Sequence, residues 1–371
     1  MLINLRSNAL AALLMCAASV SAQILVGQTA GYSGPVASGV KETSDGAKLY
    51  INAVNAKGGV NGQKIELLAL DDKFEPKLAA ENARILIEEK NVVAMFLTRG
   101  TPHTEAILPF LDKNSVPLIG PSTGAMVLHQ PVKKHVFNVR ATYQREAEKA
   151  VMHLGTLGIK RIALIYPDDS FGADGVVGAQ KGLATAKLEA VVTEKFDRSK
   201  PDFSKIVPKI VAADTQAVIM IASGSAVVSG ITALRAAGSG AQVVTLSNNA
   251  SGGFVKSLAE RGPGVVVTQV FPNERAINYG FIKEAQDLLK DSKDAVSLSP
   301  AMLEGFAAAK VLVEALKRSG PSPTRAKLQN SLENLKKFDM GGLEVNFSTT
   351  DHTGLDFADL SIISADGKFK R

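Results

Sequence analysis

The sequence predicts an α/β protein with two parallel β-sheets, between which the chain passes three times. Three observations lead there. Apolar runs of four to eight residues alternate with longer amphipathic stretches, the pattern of βαβ units. The strand-like runs from Ile24 to Val270 are too many for one sheet to be the favoured solution in a chain of 371 residues. The segment 271–335 is mostly helical and cannot form a sheet alone, so it is expected to return over the first unit. A last strand-like piece, Phe357–Ser364, then rejoins the second.

The first unit reads as strands Ile24–Gly27, Ile65–Leu70, Val92–Leu97 and Val116–Ile119. Helices at Glu42–Ala56, Lys77–Glu89 and Thr104–Lys113 lie between them, with apolar residues at helical spacing. A division falls near Ala141–Tyr143. Beyond it come a helix at Arg145–Leu157 and strands at Ile162–Tyr166, Ala190–Val192, Ala217–Ala222, Val243–Leu246 and Val265–Val270. The helices Val176–Ala186, Phe203–Ala213 and Ala226–Ala237 connect those strands. Phe281–Asp291, Pro300–Lys317 and Thr324–Leu335 complete the helical set. The expected division is a signal peptide at 1–22, a first lobe of 23–141 plus 272–347, and a second lobe of 142–271 plus 348–371. Three crossovers imply a hinge rather than one flexible linker.

The first residues read as an export signal. Arg6 precedes an apolar stretch, Ala9 to Ala18, and Ser19-Val20-Ser21-Ala22 supplies small residues for cleavage after Ala22. The apolar run is short of the ~20 residues that a spanning helix needs. A lipid anchor on Cys16 is disfavoured because Met15 stands where a small residue is expected. Cys16 is the single cysteine and would leave with the signal, so the mature chain has no disulfide, cysteine nucleophile or thiolate metal site. The predicted location is the periplasm.

Composition excludes several classes. Hydrophobic residues make up 46% and charged residues 21%, ordinary for a packed globular protein. The net charge of +6 is dispersed, without the basic stripe and interleaved aromatics of a nucleic-acid surface. Five histidines, at 103, 129, 135, 153 and 352, show no metal-ligand spacing. Gly-x-Ser-x-Gly nucleophile geometry is not met, and neither a phosphate loop nor a dinucleotide fingerprint occurs. An enzyme is not expected, nor a cofactor. Asp71-Asp72 and Asp168-Asp169 read as loop and capping carboxylates, because neighbours on an extended segment face opposite ways.

In open parallel sheets, ligands bind beyond the carboxyl ends of the strands. The segments there are Gln28 to Pro35 (with Ser33), Thr98-Arg99-Gly100-Thr101-Pro102-His103-Thr104, and Gly120-Pro121-Ser122-Thr123-Gly124. The second unit offers Asp168 to Gly172, Ser223-Gly224-Ser225 and Ser247-Asn248-Asn249. Hydroxyls and free N–H groups at helix starts suit a carboxylate, although each hydroxyl can equally cap its own helix. Thr101, Ser122 and Thr123 are the leading candidates. Arg99 reads either as a carboxylate clamp or as a residue on the solvent rim. His103 shares its loop.

The segments Gly31-Tyr32-Ser33-Gly34-Pro35-Val36-Ala37, Asn52-Ala53-Val54-Asn55-Ala56-Lys57-Gly58-Gly59-Val60-Asn61-Gly62 and Asp71-Asp72 before Pro76 resemble type I periplasmic binding proteins of branched-chain amino-acid transporters. Pro117 to Thr123 and Tyr166 to Gly172 are similar to the same family, and the likeness covers nearly the whole mature chain. The resemblance implies two Rossmann-like lobes with parallel sheets joined by three hinge crossovers. It also implies closure on a small ligand (amino acid, amide or organic acid) and a partner inner-membrane ABC permease with its ATPase. The first lobe would grip a carboxylate around Thr101 to Thr104 and Gly120 to Gly124. In the second lobe the sequence departs from the family. Phe171 stands where tyrosine is frequent, Ser223 and Gly224 replace a second tyrosine, and Ser247 or Asn248 falls where an acid would meet an ammonium. Tyr143, at the crossover, completes the expected binding set of Ser33, Arg99, Thr101, His103, Ser122, Thr123, Tyr143, Phe171, Ser223 and Asn248. A sensor that delivers its ligand to a membrane receptor uses the same closing cleft, and the sequence leaves the two roles open.

Overall fold

A computed structural model describes residues 23–292 and 297–371. The expected signal sequence and Cys16 lie outside the described residues. Two sheets organise the chain. The first has five parallel strands in the order β2-β1-β3-β4-β5. Its members are β1 (Ile24–Ala30), β2 (Ile65–Asp71), β3 (Ala94–Phe96), β4 (Leu118–Ile119) and β5 (Val136–Phe137). The second has seven strands in the order β14-β13-β10-β9-β8-β6-β7. It comprises β6 (Ile162–Pro167), β7 (Ala190–Phe196), β8 (Ala217–Met220), β9 (Gln242–Thr245), β10 (Val266–Gln269), β13 (Asp359–Ile363) and β14 (Phe369–Lys370). A hairpin of β11 (Phe338–Asp339) and β12 (Glu344–Val345) stands apart.

Each sheet starts in the same way. The chain lays down two strands side by side, then crosses to the far side of the first and continues outward. That places a topological switch point between β1 and β3, and another between β6 and β8. Ligands bind at such points because the loops on either side diverge and leave a crevice. The fold is therefore two Rossmann-like α/β lobes, as expected. β13 pairs antiparallel with β10, so the strand-like piece expected at Phe357–Ser364 joins the second sheet, and β14 pairs antiparallel with β13 at its edge.

Eleven α-helices occur among the described residues. The first four are α1 (Ala37–Ala56), α2 (Pro76–Arg84), α3 (Thr101–Asn114) and α4 (Tyr143–Thr156). Then come α5 (Ser170–Thr185), α6 (Val207–Ala212), α7 (Ser225–Ala236) and α8 (Gly252–Leu258). The last three are α9 (Gly280–Asp291), α10 (Pro300–Arg318) and α11 (Arg325–Glu333). The late helices cover the first sheet: Phe281, Leu303, Phe306 and Leu328 share one core with Val26, Phe96, Ile119 and Phe137. The contact of α10 with α1 is unusually close. A Cβ on Gly46 would lie 1.9 Å from the Met302 carbonyl oxygen, and one on Gly305 would lie 1.7 Å from that of Thr43. Only hydrogen fits at those two positions.

Several boundaries differ from the sequence reading. α3 starts at Thr101 rather than Thr104, since Pro102 is well suited to a first helical turn. α5 starts at Ser170 rather than Val176, because the Asp169 carboxylate caps the N–H groups of Phe171 and Gly172 at 3.0 and 3.1 Å. The helix expected over Phe203–Ala213 contracts to α6, with Pro208 in its first turn. β7 runs on to Phe196 as an alternating edge strand. β5, β11, β12 and β14, at two residues each, and the short α8 were not foreseen.

Candidate functional site

The site begins at the end of β3. Arg99 forms a parallel bridge with Ser122, extending the β3–β4 pairing past the strand ends. The Ser122 N–H donates to the Thr98 carbonyl at 2.7 Å. The two side chains are thereby set side by side, and the Arg99 Nη1 donates to the Ser122 hydroxyl at 2.9 Å. Nη2 donates across the cleft to the backbone carbonyl of Asn248. Arg99 is 5% exposed, so it is no rim residue. Among the described residues it makes no ion pair with a carboxylate. Burial lowers the pKa of its guanidinium, which measures the cost of holding that charge away from water.

Thr101 and Thr123 are fully buried, with their hydroxyls 2.7 Å apart. Their mutual bond uses one of the two hydroxyl protons, so the pair can still donate to an acceptor. His103, two residues on, stacks on Phe74 with centroids 4.3 Å apart. Burial pushes its pKa down to about 4. Ser33 stands apart from this group. It is exposed, and its hydroxyl donates to Asp71 at 2.6 Å.

The opposite wall comes from the second sheet. Asn248 Nδ2 donates to the Ser223 hydroxyl at 2.8 Å and to the Ala222 carbonyl at 3.1 Å. The Tyr143 ring meets Phe171 edge to face, with centroids 4.9 Å apart, and the Arg140 guanidinium lies 4.7 Å from the Tyr143 centroid. Thus Arg99, Ser122 and Asn248 meet directly, and Asn248 carries the contact on to Ser223. Thr101 with Thr123, His103 with Phe74, and Tyr143 with Phe171 form neighbouring pairs.

Sequence reasoning missed a buried ionic group beneath this wall. Arg140 is 1% exposed and pairs with Glu146, which is 0% exposed. Arg140 also donates to the Ser247 hydroxyl at 2.7 Å and lies 3.6 Å from Glu304. Glu146 accepts from the Ser247 N–H at 2.9 Å and from the Thr268 hydroxyl. Burial alone would lower the pKa of Arg140, but the charges of Glu146 and Glu304 outweigh it and raise it. Ser247, at the place where an acid was expected, is therefore a link in this network. Phe74 and Arg198 were missed too. The Arg198 guanidinium lies 5.3 Å from the Phe74 centroid and 5.5 Å from that of Phe171, and it pairs with Asp169. No local sequence signal marks either residue, since both sit in irregular loops.

Contacts cross the cleft along its length. The Ser225 N–H donates to the Pro35 carbonyl at 3.2 Å. The Ser170 hydroxyl donates to Glu105. Glu42 of α1 accepts from the N–H groups of Gly252 and Gly253 at 3.0 and 2.7 Å. The asparagine, serines and prolines that line the cleft, with a carboxylate-free cation at its centre, are equipped to hold a small molecule. They contain no nucleophile paired with a base. No group of three or more histidine, cysteine or carboxylate side chains among the described residues could hold a metal ion.

Two α/β lobes in contact across such a cleft define a solute-binding protein. The family described as periplasmic binding protein matches residues 23–366, and the chain belongs to it, in the type I, Leu/Ile/Val-binding group. It is 25% identical over 332 residues to Leu/Ile/Val-binding protein homolog 7 of Brucella suis, covering 85% of this chain and 82% of that one. A substrate-binding periplasmic protein from Ralstonia solanacearum superposes with a TM-score of 0.86 at 31% identity, over 94% of this chain and 99% of that one. A possible leucine/isoleucine/valine-binding protein from Rhodopirellula baltica gives 0.89 at 26% identity, over 96% and 98%. These relatives are solute-binding proteins, and this chain is a periplasmic binding protein rather than an enzyme.

Proposed function

We propose that this protein is the solute-binding component of an ABC-type uptake system and captures a small carboxylate between lobes that close on it. The observation that carries the reading is Arg99: a buried guanidinium without a carboxylate partner among the described residues, touching both walls of the cleft. A buried charge is costly unless paired, and a ligand carboxylate would pair it. Ser122 and the Thr101–Thr123 hydroxyls would complete the acceptor's shell.

The carboxylates beneath this wall, Glu146 and Glu304, are taken up by Arg140, which favours an organic acid over an α-amino acid. The names of the Leu/Ile/Val-binding relatives support a ligand of similar size. In this reading the lobes are 23–141 plus 272–347 and 142–271 plus 348–371, hinged near Ala141–Tyr143, Val270–Pro272 and Asn346–Thr350. Closure turns occupancy into outer shape, which an inner-membrane permease and its ATPase can read. The ligand favours closure only as far as both lobes touch it, so Tyr143, Phe171, Ser223 and Asn248 serve closure more than first capture. The export signal would be removed after Ala22.

Native mass spectrometry of protein taken from the periplasm tests the reading, followed by a thermal-shift screen of carboxylates and their amides. A retained acid is expected, with compaction in small-angle scattering when it is added back. Equal shifts by acids and amides, or scattering unchanged at saturation, would overturn it.

A further inference from the structure

The closed cleft keeps a cavity of about 270 Å³ whose walls include Pro35, Phe74, Phe196, Arg198, Pro201 and Ser223. Arg99 does not line it, but two chains of contacts connect them. Ser223 accepts from Asn248, whose carbonyl holds Arg99, and Phe74 stacks on His103 in the helix that follows Arg99. The volume approaches the ~300 Å³ at the lower end of small-molecule pockets. It opens to solvent past Pro35, Ser199, Pro201 and Ser225, so a small molecule can enter it.

We propose that this cavity is a second subsite, and that it holds the ring of a monocyclic aromatic carboxylate. The proposal rests on Arg99 as the carboxylate anchor. The chemistry of the walls selects the occupant. Proline and phenylalanine side chains present flat apolar surface, and burying a ring against them is favourable. Arg198 is the one charged side chain in the lining, and its guanidinium already lies over the Phe74 and Phe171 rings. A third ring beside that cation gains a further cation–π contact. No carboxylate lines the cavity, and Asp169 behind it is already paired with Arg198, so an ammonium there would face a cation and find no free carboxylate. Ser223 offers a hydroxyl to a polar ring substituent.

The test is a titration series on protein stripped of bound solute. Propanoate, hexanoate, benzoate, phenylacetate, 3-phenylpropanoate and L-leucine are compared by calorimetry. The chain has no tryptophan and five tyrosines, so ring ligands can also be followed by their own near-ultraviolet absorption. At least one aromatic acid should bind tenfold to a hundredfold more tightly than propanoate, the range for burying one ring. Ala226→Leu, which fills the cavity from the first turn of α7, should lower the ratio of 3-phenylpropanoate to propanoate affinity at least tenfold.

Arg99→Gln separates the two claims. Loss of all acid binding in R99Q, together with no preference for rings in the parent, overturns the ring subsite and leaves the carboxylate anchor standing. Undiminished acid binding in R99Q overturns the anchor. Tighter binding of L-leucine than of every aromatic acid, or no aromatic acid bound below millimolar concentration, also overturns the ring subsite, and the parent series alone decides this if A226L does not fold.

Discussion

Arg99 donates a hydrogen bond to the backbone carbonyl of Asn248, 149 positions further along the chain and in the turn that follows β9 of the opposite sheet. With its second bond to Ser122, the guanidinium is a strap between lobes. A ligand carboxylate in the cleft would take up the same donors, so capture and closure would be coupled through one side chain.

Arg99→Lys should show this coupling. Lysine keeps the charge but lacks the planar fork that reaches two acceptors. Acid affinity should fall about tenfold to a hundredfold, the loss of one charge-assisted bond at about 1.5–3 kcal/mol. Isothermal titration measures it, and equal affinity would show that only net charge matters.

Gly224 controls how far the lobes approach. Its φ is +52°, and a Cβ there would lie 1.8 Å from the Pro35 carbonyl oxygen across the cleft. Gly224→Ala should therefore prevent full closure while leaving the first lobe intact. Scattering should show a smaller compaction with ligand than in the parent, and weaker binding. Full compaction in the variant would mean that the Pro35 contact does not limit closure.

The Arg140 network should dominate stability. Breaking a buried pair from one side leaves an uncompensated charge and costs about 3–5 kcal/mol. Glu146→Gln is expected to fall in that range in denaturant unfolding. Glu304→Gln should cost less, because Glu304 lies 3.6 Å from Arg140 without a hydrogen bond. The reverse order would contradict the assigned geometry.

Acid sensitivity follows from buried histidines. Burial lowers His103 and His129 from 6.5 to about 4. The unfolded chain therefore binds protons first as pH falls, so stability held above pH 6.5 is lost between about 6.5 and 4. Each histidine accounts for up to about 3 kcal/mol. Asp72 works in the opposite sense. Burial raises it from 3.8 to about 6, so its contribution is present below pH 3.8 and lost as pH rises to 6, partly offsetting one histidine in acid. His103→Phe keeps the stack on Phe74 and removes the proton site. Urea midpoints from pH 7 to 4 should fall less in this variant, and an identical slope would rule out His103 as a source.

The sequence by itself determined the α/β class, the succession of strands and helices, and the loops that carry Arg99, Thr101, Ser122 and Thr123. These are local properties: periods of two and 3.6 residues repeat within one element, and loop residues follow strand ends directly. β5, β11, β12 and β14 escaped because two residues hold no period. Tertiary structure alone decided that Ser33 turns outward to Asp71, that Arg99 is buried, and that Arg140, Glu146 and Glu304 converge beneath the cleft. It also brought Phe74 from one lobe and Arg198 from the other to the same cavity. The physical reason is that no side chain's local pattern records its partner across the cleft: that pairing is set by the way two separately wound sheets face each other.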